Sequence, residues 1–325
     1  MLNSTTPGPK VSIVIPVYNG ANFLREAIDS ALAQTYKNTE VLVINDGSND
    51  QGATEQIALS YGSRIRYFSK ENGGVATALN KGIAEMSGTY FSWLSHDDLY
   101  RPDKIEVELS AAAKLHRDDI VIYSDYSTFS SDLMAAIPIR RKSIAPEKFR
   151  YSLLVDVTVH GCTLLIPKVI FERVGVFNEQ LRTTQDYDLW FRIASEFDFI
   201  HIPEVLVMFR IHASQGTQTQ SELALAECDE LFSGFIRVLG AKEILSASVN
   251  SHAKSYGKIA AHMFNRGLFN AGYLAEGLAA EKSTPVATLL RGIGYRKNRI
   301  IKVQIKPLIR KLKINTKIFL TRLST

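Results

Sequence analysis

Two adjacent acids, Asp97 and Asp98, follow the apolar run Tyr90-Phe91-Ser92-Trp93-Leu94 after a Ser95-His96 step. An acid at the carboxyl end of a core strand stands where open α/β sheets bind their ligands. A carboxylate there can hold a hard divalent cation through oxygen, with phosphate supplying further oxygen ligands. Ser95 to Asp98 would equally serve to cap a following helix, since Ser and Asp are common caps. Another acid, Asp186, opens the pattern Gln185-Asp186-Tyr187-Asp188-Leu189-Trp190-Phe191-Arg192-Ile193. On a helix the dipole favours a carboxylate at that end, and Leu189, Trp190 and Ile193 would face the core. By its residues alone, Asp186 reads as a capping acid above a packed Trp.

The elements that must position these groups alternate along the chain. Val11-Ser12-Ile13-Val14-Ile15-Pro16-Val17 is a β-branched run that fits a central parallel strand, with Pro16 at its carboxyl end. Tyr18-Asn19-Gly20 forms the turn, and Phe23 to Leu32 repeats at helical spacing. Strands at Glu40–Ile44 and Ile65–Phe68 and helices at 53–61 and 76–86 continue the alternation up to Tyr90. Four strand–helix alternations signal βαβ units and a parallel sheet. The turns at Tyr18, Asp46, Asn72-Gly73-Gly74 and Asp97-Asp98 must then converge on one edge. A ring that can stack on a base, a carboxylate that can accept from its N–H, exposed amides and a metal-binding acid suit a nucleoside diphosphate. Taken singly, each turn is ordinary loop chemistry; the argument lies in the ordered set. The chain has neither GxGxxG after its first strand nor a GxxxxGK[ST] loop, which argues against a dinucleotide dehydrogenase and a P-loop phosphotransferase.

Beyond this point the pattern loosens. A helix is expected over 105–115 and a strand over 120–123. Residues 125–150 mix turn residues with weak strand signals around the basic cluster Arg140-Arg141-Lys142, and read as a solvated loop, with an acceptor-facing lid as the alternative. Gly161–Ile166 reads as a strand, and Pro167 leads a helix that Gly175 stops. Phe199–Pro203 and Val205–Arg210 read as two paired short strands, and Gln215–Ser221 as a mobile lid. From Glu222 to Glu281 the spacing is helical and predicts a packing appendage.

In order, SIVIPVYN at Ser12–Asn19, QTY at Gln34–Tyr36, EVLVINDGSND at Glu40–Asp50, NGGVATALNKGI at Asn72–Ile83 and LSHDDLYRPDKI at Leu94–Ile105 resemble the family 2 glycosyltransferases. The resemblance implies an α/β GT-A fold, a Rossmann-like and mostly parallel sheet, here with a C-terminal helical extension and a basic tail. It implies that Pro16, Tyr18, Asn19 and Asp46 hold the nucleotide, with Gly73, Gly74, Asn80 and Asp97 also on the donor. It makes Asp98 the DxD-type acid of a divalent metal, Mn2+ or Mg2+. The stretch at Gln185 resembles the acceptor segment of the family, so that Asp186 becomes the general base and Gln185, Asp188 and Trp190 acceptor contacts. Arg210-Ile211-His212-Ala213-Ser214 resembles the family's closing segment, which places Arg210 and His212 on the diphosphate or His212 on the metal. Three departures stand out: Ser95 and His96 where members often have an acid, Leu79 where many have Arg, and Gln185 in the usual Glu position.

The implied organisation is an N-terminal tail at 1–10, a nucleotide-sugar half at 11–105, an acceptor half at 106–215, a helical extension at 216–290 and a basic tail at 291–325. The expected activity is inverting transfer from a nucleotide diphospho-sugar, UDP-linked, to a hydroxyl of a glycan or lipid-linked acceptor, as in polysaccharide biosynthesis. A catalytically silent GT-A-like module that docks on membranes is the alternative, and a nucleotidyltransferase a third reading. Charge bears on the partner. Eleven of the 38 Lys and Arg lie in 291–325, where there is no acid, so the preceding 290 residues carry 27 basic side chains against 33 acids. The apolar residues interleaved in the tail fit a helix on an anionic membrane surface, with a solvated tail as the alternative. No nucleic-acid module accompanies the charge. Hydrophobic residues make up 46% of the chain, yet no apolar run reaches the roughly 18 residues a spanning helix needs. With a polar Met1–Lys10 and only Cys162 and Cys228, the expectation is a cytoplasmic protein, peripheral at the inner face of the cell membrane, with reduced thiols and no zinc site.

Overall fold

The computed structural model describes residues 8–156, 159–213, 215, 221–246 and 251–282. The chain divides into two compact units, the first ending at Glu227 and the second beginning at Cys228.

The first unit is built on a sheet whose strands are β1 (Val11–Val17), β2 (Thr39–Asn45), β3 (Arg66–Ser69), β4 (Tyr90–Trp93), β5 (Leu99–Tyr100), β6 (Val121–Phe129), β7 (Ile137–Ile139), β8 (Leu164–Pro167) and β9 (Phe199–Arg210). Their order is β3-β2-β1-β4-β8-β6-β9-β5, with β7 on β6. The first four strands are parallel, with Val14 opposite Leu42 on one side and Trp93 on the other. All seven residues of β1 are buried, which is why its sequence is apolar apart from Ser12 rather than alternating. The helices are α1 (Leu24–Leu32), α2 (Ala53–Leu59), α3 (Val75–Glu85), α4 (Lys104–Lys114), α5 (Pro146–Val155), α6 (Lys168–Val174) and α7 (Gln185–Ile193). Close seating of α3 on the sheet depends on Gly82, where a Cβ would come within 2.3 Å of the Val14 side chain.

Two expectations change. Residues 199–203 and 205–210 are one 12-residue strand, β9, running parallel to β6. The register skips from Ser124↔Ile202 to Asp125↔Val205, so Pro203 and Glu204 bulge out and the missing N–H of Pro203 interrupts no ladder bond. Residues 125–150 are ordered: β6 continues to Phe129, a hairpin returns as β7, and α5 follows. The polar Asp125, Ser127 and Thr128 hid the second half of β6.

Behind β4 lies a charged pair with no access to water. Lys104 Nζ donates to Glu108 Oε2 (2.7 Å) and to Ser92 Oγ (3.0 Å), and lies 4.4 Å from the Tyr100 ring centre. Burial pushes the Lys104 amine down and the Glu108 carboxyl up to about 7. The pair fixes α4 and β5 to the strand that ends in Asp97 and Asp98.

The helical extension is observed, as α8 (Ser221–Val238), α9 (Ala241–Ser246), α10 (His252–Arg266) and α11 (Phe269–Glu281). Within the second unit, Asp229 accepts from the amides of Asn270 and Ala271 (2.9 and 2.8 Å) and caps α11. No helix among the described residues is long and apolar enough to cross a membrane. The basic tail 291–325, residues 1–7 and most of the expected lid at 215–221 lie outside the described residues.

Candidate active site

The turns after the parallel strands are stitched together. Asn19 N donates to Ser48 Oγ (2.8 Å), Asn19 Nδ2 to Asn49 Oδ1 (2.7 Å), and Asn49 N returns to Asn19 Oδ1 (2.8 Å). Asp46 accepts from Lys70 Nζ (2.6 Å) and from the amides of Gly73 (3.0 Å) and Gly74 (2.7 Å). Gly47 makes this possible: its φ is +70°, and a Cβ there would lie 2.6 Å from the Asn72 nitrogen. Tyr18 stands 44% exposed beside these turns, whereas Pro16 is buried inside β1. Asp46 is 3% exposed, so the carboxylate expected to take a base N–H instead organises the glycine loop.

The two acids after β4 differ sharply. Asp98 is fully buried; Oδ1 accepts from the Arg210 amide (3.0 Å) and Oδ2 from the Cys162 thiol (3.3 Å). Burial, reinforced by the neighbouring Asp97 charge, pushes its carboxyl well above the usual range. Asp97 keeps access to solvent, with Oδ2 2.9 Å from His212 Nε2. The His212 ring also lies 4.9 Å from that of Phe23. The metal role expected of Asp98 therefore fits Asp97 with His212 better, because Asp98 is fully buried and each of its oxygens already accepts a hydrogen bond. An oxygen and an imidazole nitrogen suit a first-row ion such as Mn2+ more than Mg2+.

Arg210 differs from the expectation of a phosphate-facing cation. Its Nε donates to the Asp97 carbonyl (3.0 Å), its Nη2 to Glu26 (2.7 Å), and its guanidinium sits between the rings of Phe23 and Phe129 at 4.4 and 4.6 Å. Arg210 thus holds the Asp97 turn in place. Cys162 and His160, which the sequence pattern did not single out, complete the floor under Asp98, with ligand atoms of all three within 4.8 Å of one another. Burial raises the thiol and lowers His160 to about 4, so the thiol stays protonated and donates to Asp98. A soft sulfur donor suits neither Mg2+ nor Mn2+.

Asp186 stands in the first turn of α7, and its Oδ1 accepts from the Tyr187 amide (2.9 Å). Desolvation pushes its carboxyl up to about 6, while the residue keeps part of its surface exposed. The segment before it reaches the donor loop: Arg182 Nη1 donates to the Gly73 carbonyl (2.7 Å). Glu227 holds that segment by accepting from the amides of Arg182 and Thr183, both at 2.9 Å. Neither Arg182 nor Glu227 carries a periodic signal, so the sequence pattern missed both. Gln185 is 5% exposed, and its Oε1 is buried without a hydrogen-bond partner. Asp188 pairs with Arg192 (2.8 Å), and Trp190 is fully buried, edge-on to Phe177. In this structure both engage the chain itself. Asn80 is likewise engaged: it donates to the Phe177 carbonyl (2.9 Å) and Glu179 (2.8 Å) and accepts from the Phe177 amide (3.0 Å). It ties α3 to the segment before α7.

Comparison with known proteins agrees with this fold. The profile described as glycosyl transferase family 2 matches residues 12–175. An uncharacterised glycosyltransferase of Rickettsia typhi is 48% identical over 256 residues, covering 77% of this chain and 79% of that protein. Three other rickettsial relatives are longer, and this chain spans 35 to 40% of their length. Among solved structures, S. aureus TarS in complex with UDP-GlcNAc aligns with a TM-score of 0.59 at 16% identity, over 79% of this chain and 72% of that one. A mannosyltransferase from Pyrobaculum calidifontis in complex with GDP-Man and Mn2+ aligns with a TM-score of 0.55 at 20% identity, over 92% and 81%. At such identities the structural likeness carries the fold, and the family follows from the profile and the rickettsial relative. The chain belongs to glycosyl transferase family 2 and is a glycosyltransferase.

Proposed function

We propose that the chain transfers a sugar, with inversion, from a UDP-linked donor to a hydroxyl of a glycan or lipid-linked acceptor. The observation that carries this reading is a pair of carboxylates in different surroundings, one open beside an imidazole and one desolvated at a helix start. Asp97 stays accessible beside His212 at the donor edge, while Asp186 sits near pH 6 at the start of α7. A base of that strength accepts a hydroxyl proton near neutrality without being too weak to hold it. In the proposed step the acceptor oxygen bonds to the anomeric carbon from the face opposite the diphosphate. Its proton passes to Asp186, and the bond to the diphosphate oxygen breaks, with the electron pair leaving on the nucleoside diphosphate. Asp97 and His212 would hold the divalent ion, which when bound would neutralise charge on the diphosphate. Lys70 and the Gly73-Gly74 loop, set by Asp46, form the adjacent wall, and Arg182 joins that wall to the acceptor segment. UDP is favoured by the TarS complex, and the GDP-Man complex keeps guanine donors in the screen.

The test is a sugar-nucleotide panel with and without Mn2+, comparing wild type with Asp97→Ala, Asp98→Ala and Asp186→Asn. The expected result is donor-dependent release of nucleoside diphosphate that needs metal and Asp97, with transfer needing Asp186. Metal-dependent turnover that survives Asp97→Ala would overturn the metal role. A chain that binds no sugar nucleotide under any condition would favour the silent module.

A further inference from the structure

The hairpin between β6 and β7 presents apolar side chains to solvent on a rigid support. Met134 is 94% exposed, the highest value for a large apolar residue among the described residues, and Ile137 and Leu133 are 64% and 44% exposed. Three exposed large apolar side chains within five residues of one turn mark an interaction surface. The tip has a fixed conformation. Asp132 Oδ1 accepts from the Met134 amide (2.8 Å), and the Ala136 amide donates to the Leu133 carbonyl (3.2 Å). The base of the hairpin is clamped as well. The buried Asp125 accepts from the Arg141 amide (2.8 Å) and from Arg140 Nη1 (3.4 Å), and lies 2.9 Å from His201 Nε2. On its other nitrogen His201 meets Ser143 Oγ at 2.9 Å.

The chemistry around the tip selects the partner. Residues 130–148 carry Arg140, Arg141, Lys142 and Lys148 against Asp132 and Glu147. Arg140, Lys142 and Lys148 are exposed. Apolar side chains at a tip with cations on the flanking segments fit an interface in which acyl chains lie beneath anionic headgroups. Edge-to-edge pairing with a second copy is disfavoured, because Pro138 removes an N–H from the three-residue β7. We propose that the Leu133–Ile137 tip inserts into a membrane surface bearing anionic phospholipid, with Arg140, Lys142 and Lys148 on the headgroup phosphates. The hairpin base joins the candidate site: Tyr126, opposite Ile139 in the ladder, accepts from Arg141 Nη2 (3.0 Å) and lies 5.3 Å from the His160 ring. Insertion would hold that side of the pocket near the bilayer, within reach of an acceptor carried on a lipid.

The proposal does not depend on donor chemistry, so it can be tested without a donor. Met134→Cys in the full chain is labelled with an environment-sensitive fluorophore, since Cys162 and Cys228 are buried. Phosphatidylcholine vesicles with and without phosphatidylglycerol are the probe. The expected result is a blue shift on the phosphatidylglycerol vesicles and quenching by brominated acyl chains, with neither at Leu59→Cys, which is 57% exposed on α2. The triple variant Leu133→Asp, Met134→Asp, Ile137→Asp should lose at least about tenfold in vesicle partitioning. An unshifted Met134 probe on vesicles that retain the protein would overturn the proposal and leave membrane binding to another segment. A shift that grows with protein concentration in the absence of vesicles would overturn it in favour of a second copy. Loss of sugar-nucleotide turnover, measured separately, would bear on the transferase reading alone.

Discussion

The donor edge and the acceptor segment of the first unit are built in opposite ways. At the donor edge most polar groups satisfy one another: Asn19 with Asn49, Asp46 with the Gly73 and Gly74 amides, Asp98 with Arg210 and Cys162. At the start of α7 two groups stand apart from such pairing. Asp186 is pushed towards neutrality by burial, and the Gln185 amide oxygen has no partner. The contrast separates two tasks. A rigid, internally bonded edge presents a fixed shape to a diphosphate, which favours electrostatic preorganisation. An unsatisfied buried acceptor is costly in a resting protein, and under the proposed function an acceptor hydroxyl would relieve it.

The strongest way to break this contrast is at the base. Asp186→Asn keeps the shape of the side chain and removes its proton affinity, and should lower transfer by about 10²- to 10⁴-fold while sugar-nucleotide binding is unchanged. The pH dependence has a defined sign. The base must be ionised, and its pKa is about 6 in the folded chain, so kcat/KM should fall about tenfold per unit below that pH and level off above it. A profile flat from pH 5 to pH 8, measured under first-order conditions, would remove Asp186 from the proton transfer.

On the donor side, Asp97→Ala should cost several kcal/mol of transition-state stabilisation, about a thousandfold in rate, and abolish the response to Mn2+. Asp98→Ala should act differently: it leaves the Arg210 amide and the Cys162 thiol unpaired in the core, and so should lower the melting temperature. Calorimetry of Mn2+ binding together with thermal melts separates the two acids. If both variants lose metal binding at unchanged stability, the division between a metal acid and a structural acid fails.

The support under the donor edge gives the next effect. Lys104→Met strands the Glu108 carboxylate in a site without water and should cost about 3 kcal/mol of stability in denaturant unfolding. Here the size of the loss depends on pH. Glu108 has its folded pKa raised to about 7 even beside Lys104, so the protonated form is favoured on folding, and the destabilisation of the variant should grow as pH rises. The double variant Lys104→Met, Glu108→Leu should recover most of the loss.

How much of this was legible beforehand follows from what makes each signal. The βαβ alternation and the convergence of four turns were readable because buried parallel strands must be apolar and their turns must share an edge. The choice between Asp97 and Asp98 was not, because it depends on which carboxylate the β9 backbone covers, more than a hundred residues away at Arg210. Asn80 and Arg210 bear groups that would bind phosphate or a base, but long-range partners occupy them, and spacing carries no trace of such partners. The hairpin after β6 was obscured by the polar residues that make its clamp, Asp125 above all.

The smallest expected effect sharpens the contrast from the acceptor side. Gln185→Leu replaces a buried amide of similar size by a side chain with no polar group to satisfy. Because Oε1 has no partner in the free chain, stability should rise slightly or stay level, by about 1 kcal/mol at most. Acceptor binding should weaken, since the oxygen that would receive an acceptor hydroxyl is gone. The measurable signature is a KM for the acceptor raised several-fold, with donor hydrolysis and melting temperature unchanged or improved. A variant that instead melts lower would show that Gln185 has a structural partner. The unsatisfied acceptor could then no longer distinguish the α7 side of the pocket from the donor edge.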